Sequence, residues 1–165
     1  MKILGVGELA SLSMSSRHGR IKTYGLGSCV ALVVIDRQVK AVGMAHIALP
    51  DSIYNPKKAK VMPGYFADTA VPVLLSQMRE RGSRVAMAGN DVEIKLVGGG
   101  MAIDNGIFRI GERNVQAIIE VLNKYGLTPN VMDVGGQDIS RTIEVHASTG
   151  VTVVWYNGSR VGKEI

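Results

Sequence analysis

The sequence contains a single cysteine, Cys29, among its 165 residues. An internal disulfide is therefore impossible, and a zinc site built on several cysteines is not expected. No apolar run approaches the roughly 18 residues that span a membrane. The N-terminal residues 1–8 also lack the apolar segment of a signal peptide. These absences predict a cytoplasmic protein.

Aromatic residues are scarce, at 5% of the chain, although the chain is basic with a formal net charge of +5. A basic surface can attract nucleic acid, anionic lipid or an acidic protein. The basic residues are scattered, and the densest cluster is Lys57, Lys58 and Lys60. Without a stacking platform or a long basic stripe, nucleic-acid binding is disfavoured, and an acidic protein partner fits the charge equally well.

Strand patterns dominate what is present. Residues rich in Val and Ile run from Ser28 to Asp36, and a second strand is predicted over Ala41–Leu49, so the two form a hairpin. A further buried strand is predicted over Val92–Val97. A second hairpin is expected from Thr142–His146 and Val151–Tyr156, around a Ser-Thr-Gly turn.

Two helices are predicted from apolar residues at helical spacing. The first lies between Ala67 and Met78, where Pro72 requires either a kink or a start close to the proline. The second is centred on residues 115–122 and is ended by Gly126.

Strands outnumber helices, and hairpins outnumber crossovers. We therefore predict an α+β fold in one domain of mostly antiparallel sheet, packed together with helices outside. The domain is expected to cover residues 1–156, and a polar C-terminal tail to cover residues 157–165.

The cysteine has a neighbourhood suited to chemistry. Gly25 and Gly27 stand just before Ser28 and Cys29, at the predicted start of a strand. Glycines allow backbone N–H groups to approach a substrate closely, which is the arrangement that an oxyanion hole needs. A dinucleotide-binding loop is excluded, because Val30 stands where the third glycine belongs and a strand follows instead of a helix.

A cysteine nucleophile needs a base, and three histidines are available: His18, His46 and His146. His46 lies in the strand that would pair with the strand of Cys29, within diagonal reach across the hairpin. An imidazole there could take the thiol proton and stabilise the thiolate as an ion pair, reactive below the pH at which an ordinary thiol reacts. A third group commonly holds such a base. Spacing alone does not choose between Thr23, Ser28 and Asp51.

Several motifs together resemble the chemoreceptor glutamine deamidases, the CheD family. They extend over most of the chain in the family's order. They are Val6-Gly7-Glu8, Thr23, Gly25-Leu26-Gly27-Ser28-Cys29-Val30, Met44-Ala45-His46, Leu49-Pro50-Asp51-Ser52, Tyr65-Phe66-Ala67-Asp68-Thr69-Ala70-Val71, Val97-Gly98-Gly99-Gly100-Met101, Ile110-Gly111-Glu112-Arg113-Asn114 and Asp133-Val134-Gly135-Gly136.

The resemblance implies that Cys29 is the nucleophile, His46 the general base and Thr23 the third catalytic residue. It implies hydrolysis of glutamine side-chain amides on methyl-accepting chemotaxis receptors to glutamate, with no metal and no organic cofactor. It also implies binding to a CheC-type phosphatase and a fold like that of bacterial cysteine deamidase toxins. From the residues themselves, Gly27 and Ser28 are the candidates for oxyanion stabilisation or substrate binding.

Two other readings stay open. The same nucleophile could act as a thiol esterase on receptor methyl esters, or the chain could serve mainly as a regulatory binding partner of a phosphatase. Residues 53–64, which carry the lysine cluster, match the family's pattern poorly, as does the tail after Tyr156.

Overall fold

Two five-stranded sheets face each other in the computed structural model, which describes residues 1–13, 15, 19–87, 92–101 and 109–165. Within these residues the chain forms ten strands and three α-helices. Their bounds are β1 Lys2–Leu4, β2 Leu9–Ser13, β3 Arg20–Leu26, β4 Val30–Asp36, β5 Ala41–Ile47, α1 Pro56–Val61, α2 Ala67–Glu80, β6 Glu93–Gly98, α3 Ile110–Lys124, β7 Val131–Val134, β8 Arg141–His146, β9 Thr152–Tyr156 and β10 Lys163–Glu164.

Sheet A has the strand order β1-β3-β8-β9-β10, and sheet B has the order β2-β5-β4-β6-β7. The pairs β1–β3 and β6–β7 are parallel, and the other pairings among the described strands are antiparallel. The predicted α+β class with mostly antiparallel sheet is confirmed. Short single turns of 3-10 helix at Ser52–Tyr54 and Pro63–Tyr65 flank α1.

Both predicted hairpins form. Strands β4 and β5 pair in register from Val30 opposite Ile47 to Asp36 opposite Ala41. Every residue of these two strands is buried, because they lie in the middle of sheet B with sheet A on one face and helices on the other. The pairing ends two residues short of the predicted outer ends of both strands, so Cys29 lies just before β4.

Helix α2 buries the predicted apolar residues, including Leu74, Leu75 and Met78. It begins at Ala67 and continues through Pro72, so the alternative start close to the proline is wrong. Helix α3 begins earlier than its apolar spacing predicts, because its first turns pack through a glycine and a polar residue, Gly111 and Asn114.

Two apolar clusters lie on the two faces of sheet B. The outer cluster joins sheet B to α2 and α3 and includes Leu32, Leu74 and Ile118. The inner cluster fills the space between the sheets and includes Ile21, Met44 and Val97, with Cys29 packed against it.

The C-terminal residues fold back onto the domain. Residues Lys163–Glu164 add an edge strand to β9, and Ile165 packs against the inner cluster. The buried Lys95 ammonium also donates a hydrogen bond of 2.5 Å to the Ile165 carbonyl oxygen. The segment 157–165 therefore combines an exposed polar turn with a docked end.

Candidate active site

Three elements bring the candidate residues to the inner face of sheet B. Ala31 pairs with His46 in the β4–β5 ladder, and Cys29 lies two residues before Ala31 in the chain, diagonally across from His46. Alternate residues of a strand share a face, and diagonal neighbours are within reach of long side chains. Thr23 comes from β3 of sheet A and is fully buried between the sheets.

Thr23 holds the imidazole of His46. Its hydroxyl donates to the Leu4 carbonyl oxygen at 2.8 Å, and its oxygen lies 2.6 Å from His46 Nδ1. A hydroxyl has one proton to donate. Because that proton is directed to Leu4, the Thr23 oxygen accepts the hydrogen bond from His46 Nδ1–H, and this network assigns the tautomer.

The other ring nitrogen of His46 is therefore the basic one. Nε2 is buried and has no hydrogen-bond partner among the described residues. An unpartnered lone pair in a buried position is costly in a purely structural histidine. His46 shares a face of sheet B with Cys29, diagonally across the hairpin, so this free nitrogen is the one available to accept a proton.

Burial sets the charge state of the pair. It lowers the pKa of His46 to about 4 and raises the pKa of the Cys29 thiol, against a smaller lowering from a hydrogen bond with the residue's own backbone N–H. Both shifts favour the neutral forms. These shifts disfavour the thiolate–imidazolium pair expected from the sequence, because spacing alone carries no information on the burial of His46 and Cys29.

The glycine segment before Cys29 is anchored by the next strand. The Gly27 and Cys29 carbonyl oxygens accept from the N–H groups of Gly100 and Gly99, at 2.7 and 2.8 Å. Gly98, with φ +122, has no room for a Cβ atom, which would collide with the Cys29 carbonyl oxygen. The close approach of the two strands fixes the backbone on both sides of the sulfur.

Within the glycine segment, the backbone N–H groups that could bind an oxyanion lie at its end. The Gly27 N–H donates to the Gly25 carbonyl oxygen at 2.9 Å and is engaged. The N–H groups of Ser28 and Cys29 have no acceptor on another of the described residues. Ser28 and Cys29 therefore offer better donors than Gly27.

A cleft of about 490 Å³ opens beside the segment and could admit a substrate side chain. Gly27 and Ser28 line the cleft directly before Cys29 in the chain, whereas Cys29 and His46 are not among its lining residues. The remaining lining residues are Gly100, Met101, Arg109, Ile110, Gly111, Asp138, Ile139 and Ser140.

The other candidates lie elsewhere. His146 is in β8 with Nε2 3.0 Å from Glu144 Oε1, on the face of sheet A opposite the inner cluster. His18 lies outside the described residues. Of the three possible partners for His46, Thr23 makes the contact, whereas the Asp51 carboxylate accepts from the Ile53 N–H.

Neither a metal site nor a membrane helix is found in the described part of the chain. No group of three or more His, Cys, Asp and Glu side chains there could hold a metal ion. No helix in those residues is long and apolar enough to cross a bilayer.

Sequence reasoning missed Asn114 at this site. Its side-chain amide donates to the carbonyl oxygens of Ser28 and Ala48, both at 2.9 Å. The signal was present, because asparagine is a poor residue for a helix interior and stands here at a position with the spacing of the buried face.

Comparison with known proteins gives consistent matches. The family model CheD, described as CheD chemotactic sensory transduction, matches residues 48–155. A protein of Syntrophotalea carbinolica named probable chemoreceptor glutamine deamidase CheD is 40% identical over 154 residues, covering 92% of this chain and 91% of its own. The chemoreceptor glutamine deamidase CheD of Thermotoga maritima is 36% identical over 153 residues, with 93% and 90% covered. That of Halalkalibacterium halodurans is 37% identical over 145 residues, with 86% of each chain covered.

Proposed function

This chain belongs to the CheD family, and on that premise we propose that it hydrolyses glutamine side-chain amides of methyl-accepting chemotaxis receptors to glutamate and ammonia. Cys29 is the nucleophile, His46 the base and Thr23 the residue that orients the base. The observation that supports this assignment most directly is the Thr23–His46 hydrogen bond of 2.6 Å, with the free Nε2 on the face that Cys29 shares.

The first half of the reaction forms a thioester. The Cys29 sulfur attacks the carboxamide carbon while its proton passes to His46 Nε2, so that no ion pair has to exist beforehand. The N–H groups of Ser28 and Cys29 stabilise the oxyanion. The C–N bond then breaks, the nitrogen takes the proton from Nε2, and ammonia leaves.

The second half releases the product. Nε2, neutral again, removes a proton from water as the water oxygen attacks the thioester carbon. The C–S bond breaks, the sulfur recovers its proton from the imidazolium, and the receptor side chain leaves as glutamate. In both halves Thr23 accepts from Nδ1–H and keeps the ring aimed at the reacting atoms.

The test uses a recombinant receptor cytoplasmic fragment. Mass spectrometry should find glutamine converted to glutamate at particular positions, with ammonia released in equal amount. A folded Cys29→Ala protein is the control and should convert none. Release of methanol from methylated receptor, without ammonia, would instead establish the thiol esterase reading.

A CheC-type phosphatase is the second partner that we propose, bound over the same cleft as a substrate mimic. Exposed apolar side chains near the site support a protein-binding surface: Val6 stands beside Gly7, whose N–H donates to the His46 carbonyl oxygen at 2.8 Å, and Tyr24 precedes the glycine segment. Both partners would be met in the cytoplasm. Competitive inhibition of deamidation by the phosphatase is expected, and unchanged KM at saturating phosphatase would contradict a shared site.

A further inference from the structure

Asn114 is a buried polar residue that the proposed reaction does not use. It lies in the second turn of α3 and has no solvent exposure. A buried amide in a helix is unfavourable unless its hydrogen bonds serve a purpose. Here both N–H groups are used and both reach the ends of strands that carry the proposed catalytic residues.

The two acceptors stand on neighbouring strands. Ser28 directly precedes Cys29, and Ala48 lies two residues after His46 in the chain. The β4–β5 ladder ends at the pair Val30–Ile47. Beyond that pair, no backbone hydrogen bonds of the ladder join the segment that contains Ser28 to the segment that contains Ala48. The Asn114 amide joins the two segments there, with one hydrogen bond of 2.9 Å to the carbonyl oxygen of Ser28 and one of 2.9 Å to that of Ala48.

The orientation of the amide is fixed by these bonds. If oxygen and nitrogen were exchanged, Oδ1 would face two carbonyl oxygens without a proton between them. In the orientation found, Oδ1 is buried without a hydrogen-bond partner among the described residues. The unsatisfied oxygen has a free-energy cost that an alanine would avoid.

The start of α3 is held close enough for this contact. Gly111 packs directly on the backbone of Gly99 and Gly100, with no room for a Cβ atom between them. Gly99 in turn donates to the Cys29 carbonyl oxygen at 2.8 Å. Gly99 therefore links the start of α3 to the backbone of Cys29.

We propose that Asn114 is a positioning residue, which fixes the separation of Cys29 and His46 by tying the Ser28 carbonyl to the Ala48 carbonyl. The inference rests on the proposed function, because it assigns a role within that reaction. An error of about 1 Å in the placement of reacting groups can lower a rate about a hundredfold. Asn114 touches no reacting atom, so its loss should affect turnover and leave substrate binding intact.

The first test compares Asn114→Ala with Ile118→Ala. Ile118 is a buried residue one turn further along α3, packed in the outer cluster, so its truncation destabilises the same helix without touching the strand ends. For Asn114→Ala we expect kcat about tenfold to a hundredfold below wild type, with KM within about twofold. For Ile118→Ala we expect a lower Tm and a kcat per folded molecule close to wild type.

The second test uses pH to restore one hydrogen-bond donor at position 114. It also applies if the Asn114→Ala protein fails to fold. In Asn114→Asp the introduced carboxyl, when protonated, can donate to one of the two carbonyl oxygens. Its burial raises its pKa. Between about pH 8 and pH 5 the activity of this variant should therefore rise relative to that of the wild-type protein as pH falls. The titratable and charged residues within three positions of Asn114 or of its two acceptors, Ser28 and Ala48, are Cys29, His46, Asp51, Glu112 and Arg113. They are unchanged in every variant, so a new limb in the profile belongs to the introduced carboxyl.

Three results would overturn the proposal: kcat of Asn114→Ala within about threefold of wild type, an equal fall in kcat for Ile118→Ala, or a loss confined to KM. A pH profile of Asn114→Asp without the added limb would also overturn it. Failure of the proposed function is distinguishable, because it would show as absent ammonia release by the wild-type protein itself.

Discussion

The two faces of sheet B are built from the same strands and do different work. Along β5, Ala45 and Ile47 point to the helices and join a cluster of apolar side chains, while Met44 and His46 point to sheet A. The outer face is filled for stability. The inner face gives up apolar packing at one end to hold Thr23, His46 and Cys29. Because alternate residues change faces, a slip of one residue in the β4–β5 pairing would turn His46 toward the helices.

The inner face should be most sensitive at its sulfur. Cys29→Ala removes the nucleophile and should lower deamidation by about four orders of magnitude or more, since no other group can form the thioester. Thermal unfolding should change little, because Cys29 is only partly buried at the end of a strand. Ammonia release from the receptor tests the loss of activity, and a melting curve of the same variant tests the unchanged stability. A folded variant that retains turnover would remove the nucleophile assignment.

The base should rank next. His46→Ala should be nearly as inactive as Cys29→Ala, and the double variant little worse than either, because residues that act as one unit give non-additive losses. Thr23→Ala should be milder, since the imidazole keeps its reactive nitrogen and loses only its fixed orientation. His146→Ala is the matched control on sheet A. A severe loss for His146→Ala with a mild one for His46→Ala would mean that the wrong base is named.

The outer face should respond in stability alone. Leu74→Ala removes a fully buried side chain from the contact between α2 and sheet B. Such truncations lower the free energy of unfolding by about 2–5 kcal/mol. Turnover per folded molecule should stay within about twofold of wild type, because no inner-face residue moves. Urea unfolding and kcat at low temperature separate the two quantities, and a large fall in kcat would mean that the faces are coupled.

The pH dependence of activity should be set by the inner face. Burial there lowers the pKa of His46 to about 4 and raises the pKa of the Cys29 thiol. The neutral base is present above its pKa, so deamidation should persist as pH falls from neutrality and decline through about pH 4. Alkylation of Cys29 by iodoacetamide should need a higher pH than alkylation of free cysteine. A thiol that reacts fully below neutral pH would contradict the neutral resting pair.

The same shift makes a stability prediction with a definite sign. An unfolded histidine binds its proton near pH 6.5, whereas folded His46 does so only near pH 4. Between these values the unfolded state holds more protons, so the free energy of unfolding falls as the solution becomes more acidic. The fall should be shallower in His46→Gln than in wild type. Equal slopes from denaturant unfolding would show that His46 is not buried as described.

The smallest effect is expected outside both faces, on α1. The exposed Lys57 and Lys60 follow the sequence of His46 closely, and Met62, just beyond α1, packs beside Gly7, whose N–H bonds to the His46 carbonyl. Lys58 is left unchanged, because its ammonium lies over the Tyr65 ring. Lys57→Gln with Lys60→Gln should slow association with an acidic receptor helix at low salt and leave kcat unchanged. Stopped-flow measurement of the association rate at two ionic strengths checks this. An identical salt dependence for wild type and variant would show that these lysines do not attract the receptor.

The parts of the site that depend on local pattern could be predicted. The hairpin placed Cys29 and His46 in diagonal register from strand lengths alone. The contact of Thr23 with His46 joins two different sheets, so no spacing rule could choose it, and only the family resemblance did. The start of α3 was missed because Gly111 and Asn114 pack through backbone and amide contacts that leave no apolar period. The charge state was missed because it follows from burial, which is a property of the assembled sandwich.

The Leu4 carbonyl limits how substitutions can change the tautomer of His46. It directs the Thr23 proton and so decides which nitrogen of His46 carries hydrogen. A carbonyl belongs to the main chain, and every residue that could replace leucine would supply the same oxygen. Point substitutions at Leu4 therefore act through the packing of its buried side chain, while the acceptor that sets the proton arrangement of the imidazole stays in place. Only a shift of the whole strand, by insertion or deletion between β1 and β3, would reassign it.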